Sequence, residues 1–178
     1  MPIQLAVGLK GAGSLREYLD FCNEGYRARK KGVIYPVLAG RSGESGREAG
    51  GYYSGHVIIL SGRPMPVIFC AEEIPTGDRW PLFNLEDAEF AFLESACLTG
   101  AAAFVLLGYL ELKRVFLLPF GELQKRWRHW RWGSGPVTVK CGDRGLVETQ
   151  FPDYLAPVAE RPDLFSQQWS DVVLGAAS

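Results

Sequence analysis

The hydrophobic positions of this chain follow two periods, and the clearest stretch has the shorter one. Residues 56–73, HVIILSGRPMPVIFCAEE, hold two β-branched apolar runs, Val57-Ile58-Ile59-Leu60 and Val67-Ile68-Phe69-Cys70, on either side of Ser61-Gly62-Arg63-Pro64. Gly and Pro mark a tight connection, so the pattern predicts a buried β-hairpin over 52–60 and 66–72. Its strands carry almost no polar side chain until Glu72 and Glu73, where the chain leaves the sheet.

The other elements follow in order. Ser14 is placed to cap a helix, with Glu17 at capping-box spacing, and Leu15, Tyr18, Leu19, Cys22 and Tyr26 recur at helical intervals, predicting a helix over 14–31 that Gly32 stops. Residues 33–38 read as a strand, with Pro36 pointing to an edge. The Gly- and Ser-rich stretch 39–51 reads as a long surface loop, and 73–83, with Pro75, Gly77 and Pro81, as a connection. Asn84 is a candidate cap for a helix whose first turn holds Glu86 and Asp87 and which Gly100 ends. The continuous apolar runs 102–107 and 112–118 suggest central strands covered on both faces. A short helix follows Pro119 and Gly121, then a strand at 137–140 and a terminal amphipathic piece at 169–174. The expected architecture is α/β: a mixed central sheet flanked by helices, in a flexible arm (1–13) and a single domain (14–178).

Composition narrows the function. Nineteen basic and twenty acidic residues leave a net charge of -1, so no global field draws the chain to nucleic acid or to a membrane, and any such binding rests on a local patch. Cys22, Cys70, Cys97 and Cys141 lack metal-ligand spacing, and three of them sit in apolar runs as expected of buried thiols in a reducing compartment. No run approaches the ~20 apolar residues of a membrane span. The expectation is a cytoplasmic protein with no membrane contact.

Candidate chemistry is sparse. His56 and His129 are the only histidines, and phosphate-loop and nucleophile-elbow motifs are absent. Six carboxylates, Glu17, Glu44, Glu48, Glu72, Glu73 and Asp78, are candidates for one end of the hairpin. Candidate DNA-contacting cations fall in three groups: Arg27, Arg29, Lys30 and Lys31; Arg41 and Arg47; and Lys125, Arg126, Arg128 and Arg131, interleaved with Trp127, Trp130 and Trp132. Guanidinium groups among aromatic rings suit a nucleic-acid surface. The competing readings are that the first group complements the helix dipole, and that the Trp residues pin the last helix to the core.

The order helix, strand, loop, hairpin, then WPL before a helix and the FVLL strand, resembles the RecU-type Holliday junction resolvases, homodimeric members of the PD-(D/E)xK nuclease superfamily. The resemblance runs from about Gly13 through Phe151-Pro152-Asp153-Tyr154-Leu155. It implies a restriction-endonuclease-like fold and a Mg²⁺ site built from a helix carboxylate, an Asp opening the hairpin, a Glu-x-Lys on its second strand and a Gln on the next helix. Carried over residue by residue, these fall on Arg16 or Glu17, near Gly55-His56, on Cys70-Ala71-Glu72, and near Glu89. A thiol is a poor Mg²⁺ partner, and an acid in place of the Lys reverses the charge meant to assist the attacking water. The reading is a DNA-binding protein of branched or double-stranded DNA, dimeric and without catalytic residues, metal or cofactor. One alternative is an active Mg²⁺-dependent endonuclease using Glu17, Glu72 and Glu73; another is a regulatory protein-interaction domain that binds no DNA.

Overall fold

The structure, a computed structural model, describes residues 13–37 and 51–166. Most of the expected arm and of the 39–51 loop, with Arg41, Glu44, Arg47 and Glu48, and the 169–174 piece lie outside the described residues.

Helix α1 (Leu15–Ala28) starts as its sequence predicts, with Ser14 Oγ accepting from Glu17 N at 3.2 Å. The Glu17 carboxylate accepts from Gly13 N instead of from the cap's own N–H. The helix ends three residues earlier than the basic run suggested. Lys30 takes a left-handed conformation (φ 55°), Lys30 N donates to Arg27 O and Lys31 N donates to Tyr26 O. This pair of bonds closes a helix C-terminus at a position that glycine normally fills.

Strands β1 (Gly32–Val37), β2 (Gly51–Ile58) and β3 (Pro64–Ile74) form an antiparallel meander. The 73–83 connection holds a short strand, β4 (Arg79–Pro81), because Trp80 has a buried place to fill. Helix α2 (Asp87–Leu98) is capped by Glu86 in a reciprocal capping box with Glu89, and not by Asn84, which closes a 3-10 turn. Then come β5 (Ala102–Tyr109), parallel to β3, β6 (Arg114–Pro119), α3 (Phe120–Arg131), β7 (Thr138–Lys140), β8 (Val147–Glu148) and α4 (Ala156–Glu160). The main sheet has the order β1-β2-β3-β5-β6-β8, and β7 pairs with β4 in a separate two-stranded sheet. The result is a single mixed α/β domain.

The parallel step from β3 to β5 requires a crossover, and α2 supplies it over one face. Helices α2 and α3 pack on that face, while α1 and α4 pack on the other. Every residue of β5 is buried: Ala102, Phe104 and Leu106 meet the α1 side, and Ala103, Val105, Leu107 and Tyr109 the α2 side. On the α1 side Phe69 stacks between Tyr53, at 5.0 Å, and Phe104, at 4.8 Å. At the sheet's edge, Pro36 in β1 lacks an N–H and limits further strand pairing.

A buried polar network ties α1 to the chain's far end. Tyr26 Oη donates to Asp153 Oδ1 and accepts from Leu155 N, each at 2.8 Å, and Tyr154 Oη donates to Asn23 Oδ1 at 2.6 Å. Burial pushes the Tyr26 and Tyr154 hydroxyls far above their ordinary pKa, so both stay protonated donors. Tyr26→Phe strips a buried N–H and a carboxylate of their partner, and urea unfolding should show a loss of about 1–3 kcal/mol.

Candidate functional site

Successive residues of a strand point to opposite faces, so the place of each hairpin residue follows from Phe69. With Phe69 on the α1 side, Ala71 and Glu73 share that side, while Cys70, Glu72 and Ile74 face α2 and α3. Glu73 is the acid that meets the first helix: its Oε2 accepts from Leu15 N, the first residue of α1, at 2.7 Å. A carboxylate there satisfies an orphan N–H and sits at the positive end of the helix dipole. Glu72 is buried on the opposite face.

The positions that the nuclease resemblance groups together are spread apart by this arrangement. His56 lies across from Pro66 on one side and Val33 on the other, and is exposed, whereas Cys70 lies across from Tyr52 and is buried. Pro66 and Cys70 are four residues apart, about 13 Å along the strand. Gly55 has no room for a side chain, since a Cβ there would come within 1.9 Å of the Val33 carbonyl oxygen. Arg16 is exposed on α1, and Glu17 is engaged with Gly13 N. Glu89 is buried on α2 with its Oε2 accepting from Glu86 N at 2.8 Å. Asp78 pairs with Arg79 and Lys140. Among the described residues no three His, Cys, Asp or Glu side chains come together in a metal-holding group.

Strand parity was the available signal for what the sequence reading missed. The α1-facing residues at the mouth of the hairpin are Gly51, opposite Ala71, and Tyr53, opposite Phe69. The α1 acid that bears on them is Asp20: burial raises the Tyr53 hydroxyl's pKa first, and the Asp20 charge raises it further against the opposing pull of Arg16.

The basic surfaces are also separated. Arg27, Arg29, Lys30 and Lys31 lie at the C-terminus of α1, beside the end of β2, where Ile58 N donates to Lys31 O. Arg29 Nε satisfies the Gly25 carbonyl, so this residue does complement the helix end; Lys31 pairs with Asp153 at 3.4 Å; Arg27 lies over the Tyr35 ring. Lys30 is exposed and makes no ion pair among the described residues. A groove of about 310 Å³ opens here between α1, the end of β2 and α4, with Lys30, Lys31, Asp153 and Glu160 at its rim.

The Trp/Arg helix lies on the other face of the sheet. Its basic end is where β3 and β5 finish, because Arg131 pairs with Asp87 at the start of α2. Most of its cations are engaged within the molecule: Arg126 with Glu122, Asp143 and the Arg144 carbonyl, Lys125 with Glu122, and Arg131 with Asp87 and over the Trp127 and Trp130 rings. Trp127 is buried against Phe90 at 4.8 Å, whereas Trp132 is 75% exposed. Arg128 is the member of this group with no ion pair among the described residues. The Trp residues 127 and 130 therefore do pin this helix to the core.

No protein-family model matches the chain, and no curated protein matches it. No helix among the described residues is long and apolar enough to cross a membrane.

The Glu73 contact sets a direct expectation. Glu73→Ala removes an N-terminal cap from α1 and should cost about 1 kcal/mol in chemical unfolding. Glu72→Ala, on the other face, should leave the melting of α1's amides in hydrogen exchange unchanged.

Proposed function

We propose that this chain is a RecU-like protein of restriction-endonuclease-like fold that binds branched or double-stranded DNA as a homodimer and has lost nuclease chemistry. The element order α1, β1, β2, β3, α2, β5, β6, with an antiparallel meander followed by a parallel return, supports the fold. The separation of His56 from Cys70 and Glu72 along the hairpin, and the use of Glu73 as a helix cap, support the loss of the metal site.

The observation that carries DNA binding is Lys30. A non-glycine residue in the left-handed region costs roughly 1 kcal/mol, and glycine would adopt it freely. Lys30 accepts that cost at an exposed turn with Arg27, Arg29 and Lys31 as neighbours, and holds its ammonium in water beside the groove. A cation that weakens the fold and extends into solvent is placed for a partner, and a phosphate backbone recognises charge and reach without requiring a carboxylate site. With a net charge of -1, the interaction is local and of modest strength.

Lys30→Gly separates stability from function. The variant should unfold at higher denaturant, by about 0.5–1 kcal/mol, yet bind a labelled four-way junction more weakly. The slope of log K against log salt should fall in magnitude by about one unit. Unchanged binding and slope would remove Lys30 from the interface. Incubation of the junction with Mg²⁺ or Mn²⁺ should give no cleavage. Cleavage that vanishes in Glu72→Ala or Glu73→Ala would instead establish the active reading, with Mg²⁺ held by relocated acids.

A further inference from the structure

We infer that the outward face of α2 is the surface through which two copies of this chain pair about a two-fold axis. The inference rests on the homodimer part of the reading above and assigns that dimer its contact. Helix α2 carries apolar residues all round, yet only one side of it is buried. Leu93, Ala96 and Cys97 pack into the core below, while Ala88, Ala91, Phe92, Ser95, Leu98 and, at the C-cap, Thr99 are exposed, Phe92 by 40% and Leu98 by 70%. At 3.6 residues per turn these six positions fall within one arc of about 120°. The helix turns its charges elsewhere. Asp87 pairs with Arg131 at the end of α3, Glu89 Oε2 accepts from Glu86 N, and Glu94 Oε1 accepts from Gln124 Nε2 of α3 at 3.2 Å. The outward arc therefore holds no ionisable side chain, whereas a helix face that stays in water normally carries them.

Three features choose a second copy as the occupant. The first is the missing charge. A two-fold contact sets each residue opposite itself or a near neighbour, so any charge in it meets its like. A neutral arc is what self-association requires, and a different partner imposes no such demand. The second is shape. Ala88, Ala91 and Ser95 run along the middle of the arc, with Phe92 on one flank and Leu98 on the other, so two such helices can approach closely, ridge into groove. Antiparallel packing also sets the two Asp87 carboxylates, which border the arc, at opposite ends of the pair. The third is area. Taking about 200 Å² for a fully exposed large side chain, the arc offers roughly 500 Å² per copy, which makes a reversible dimer at the low end of specific interfaces. Helix α2 has no Lys or Arg, so neither an anionic membrane nor a phosphate backbone is drawn to this face. A dimer joined here leaves the Lys30 turn open on both copies, because Lys30 ends α1 on the other face of the sheet.

The test is sedimentation equilibrium of the full-length protein from about one to about a hundred micromolar, the range that suits a weak dimer. Wild type should show monomer and dimer in equilibrium. Ser95→Glu and Ser95→Lys, at the centre of the arc, each put like charges across the axis and should weaken association about a hundredfold with thermal melting unchanged. An equal mixture of the two should regain the dimer, and Ser95→Ala should keep it. A dimer that persists in both charged variants overturns this surface and leaves the homodimer reading standing. Loss in both variants without recovery in the mixture overturns the two-fold pairing. A wild-type monomer throughout overturns the inference and the homodimer reading together, while junction binding is measured separately. If both charged variants of that monomer also melt at lower temperature, the face belongs to a segment of the chain itself.

Discussion

The arrangement of every candidate group depends on the parity of β3, and Phe69 sets that parity. Its ring is fully buried and stacked between Tyr53 and Phe104, one on each neighbouring strand, with Tyr154 edge-on at 5.8 Å. A slip of one residue would turn this ring out of the α1-side core and bring Cys70 and Glu72 in. Removing an aromatic side chain from such a position costs about 3–5 kcal/mol, several times the value of any polar contact at the strand's end. Packing therefore decides where the acids point: Glu73 meets α1 and Glu72 does not. The chemistry available at the end of the hairpin is a consequence of the stack in its middle.

A second constraint, the parallel step from β3 to β5, explains the separation of the basic groups. A mixed sheet with a parallel β3–β5 step needs helices on both faces, and each helix brings its own charged end. Helix α1 puts its cations where β2 finishes; α3 runs the other way on the opposite face and puts its cations where β5 finishes. The two are also electrostatically unlike. Around α3 the cations face Glu122, Asp143 and Asp87, so the local field is largely cancelled, while at the end of α1 Asp153 offsets Lys31 and leaves Lys30 without an ion pair among the described residues.

The fold was legible in the sequence wherever burial alone sets the pattern. The hairpin, α1, and the β5 and β6 runs follow from apolar periodicity, and Pro36 marked the edge strand correctly. What was not legible is set by contacts between distant residues. Trp80 makes a strand of an apparent connection because Val139 pairs with it from β7. Glu86 caps α2 ahead of Asn84 because Glu89 reciprocates. The end of α1 depended on Lys30 accepting a conformation that its side chain disfavours, which no propensity would choose. At the candidate site, spacing located Cys70 and Glu72 on the strand but not their face, and it aligned Gly55-His56 with them although the pairing register sets those residues several positions away.

Gly55 shows how closely the backbone limits the chemistry open to the start of the hairpin. A strand position can gain a carboxylate by one substitution only where the backbone leaves space for a side chain. At Gly55 it does not: the β1 backbone lies so near that a Cβ would collide with the Val33 carbonyl, and Gly32 on β1 meets the same obstacle against the His56 carbonyl, at 2.5 Å. The two strands have closed on each other at the positions where side chains are missing. That close pairing holds β1 against β2 at the edge of the sheet. The geometry that denies the hairpin a carboxylate at Gly55 is the same close approach that seats β1 on β2, and a single tightly paired edge strand accounts for both.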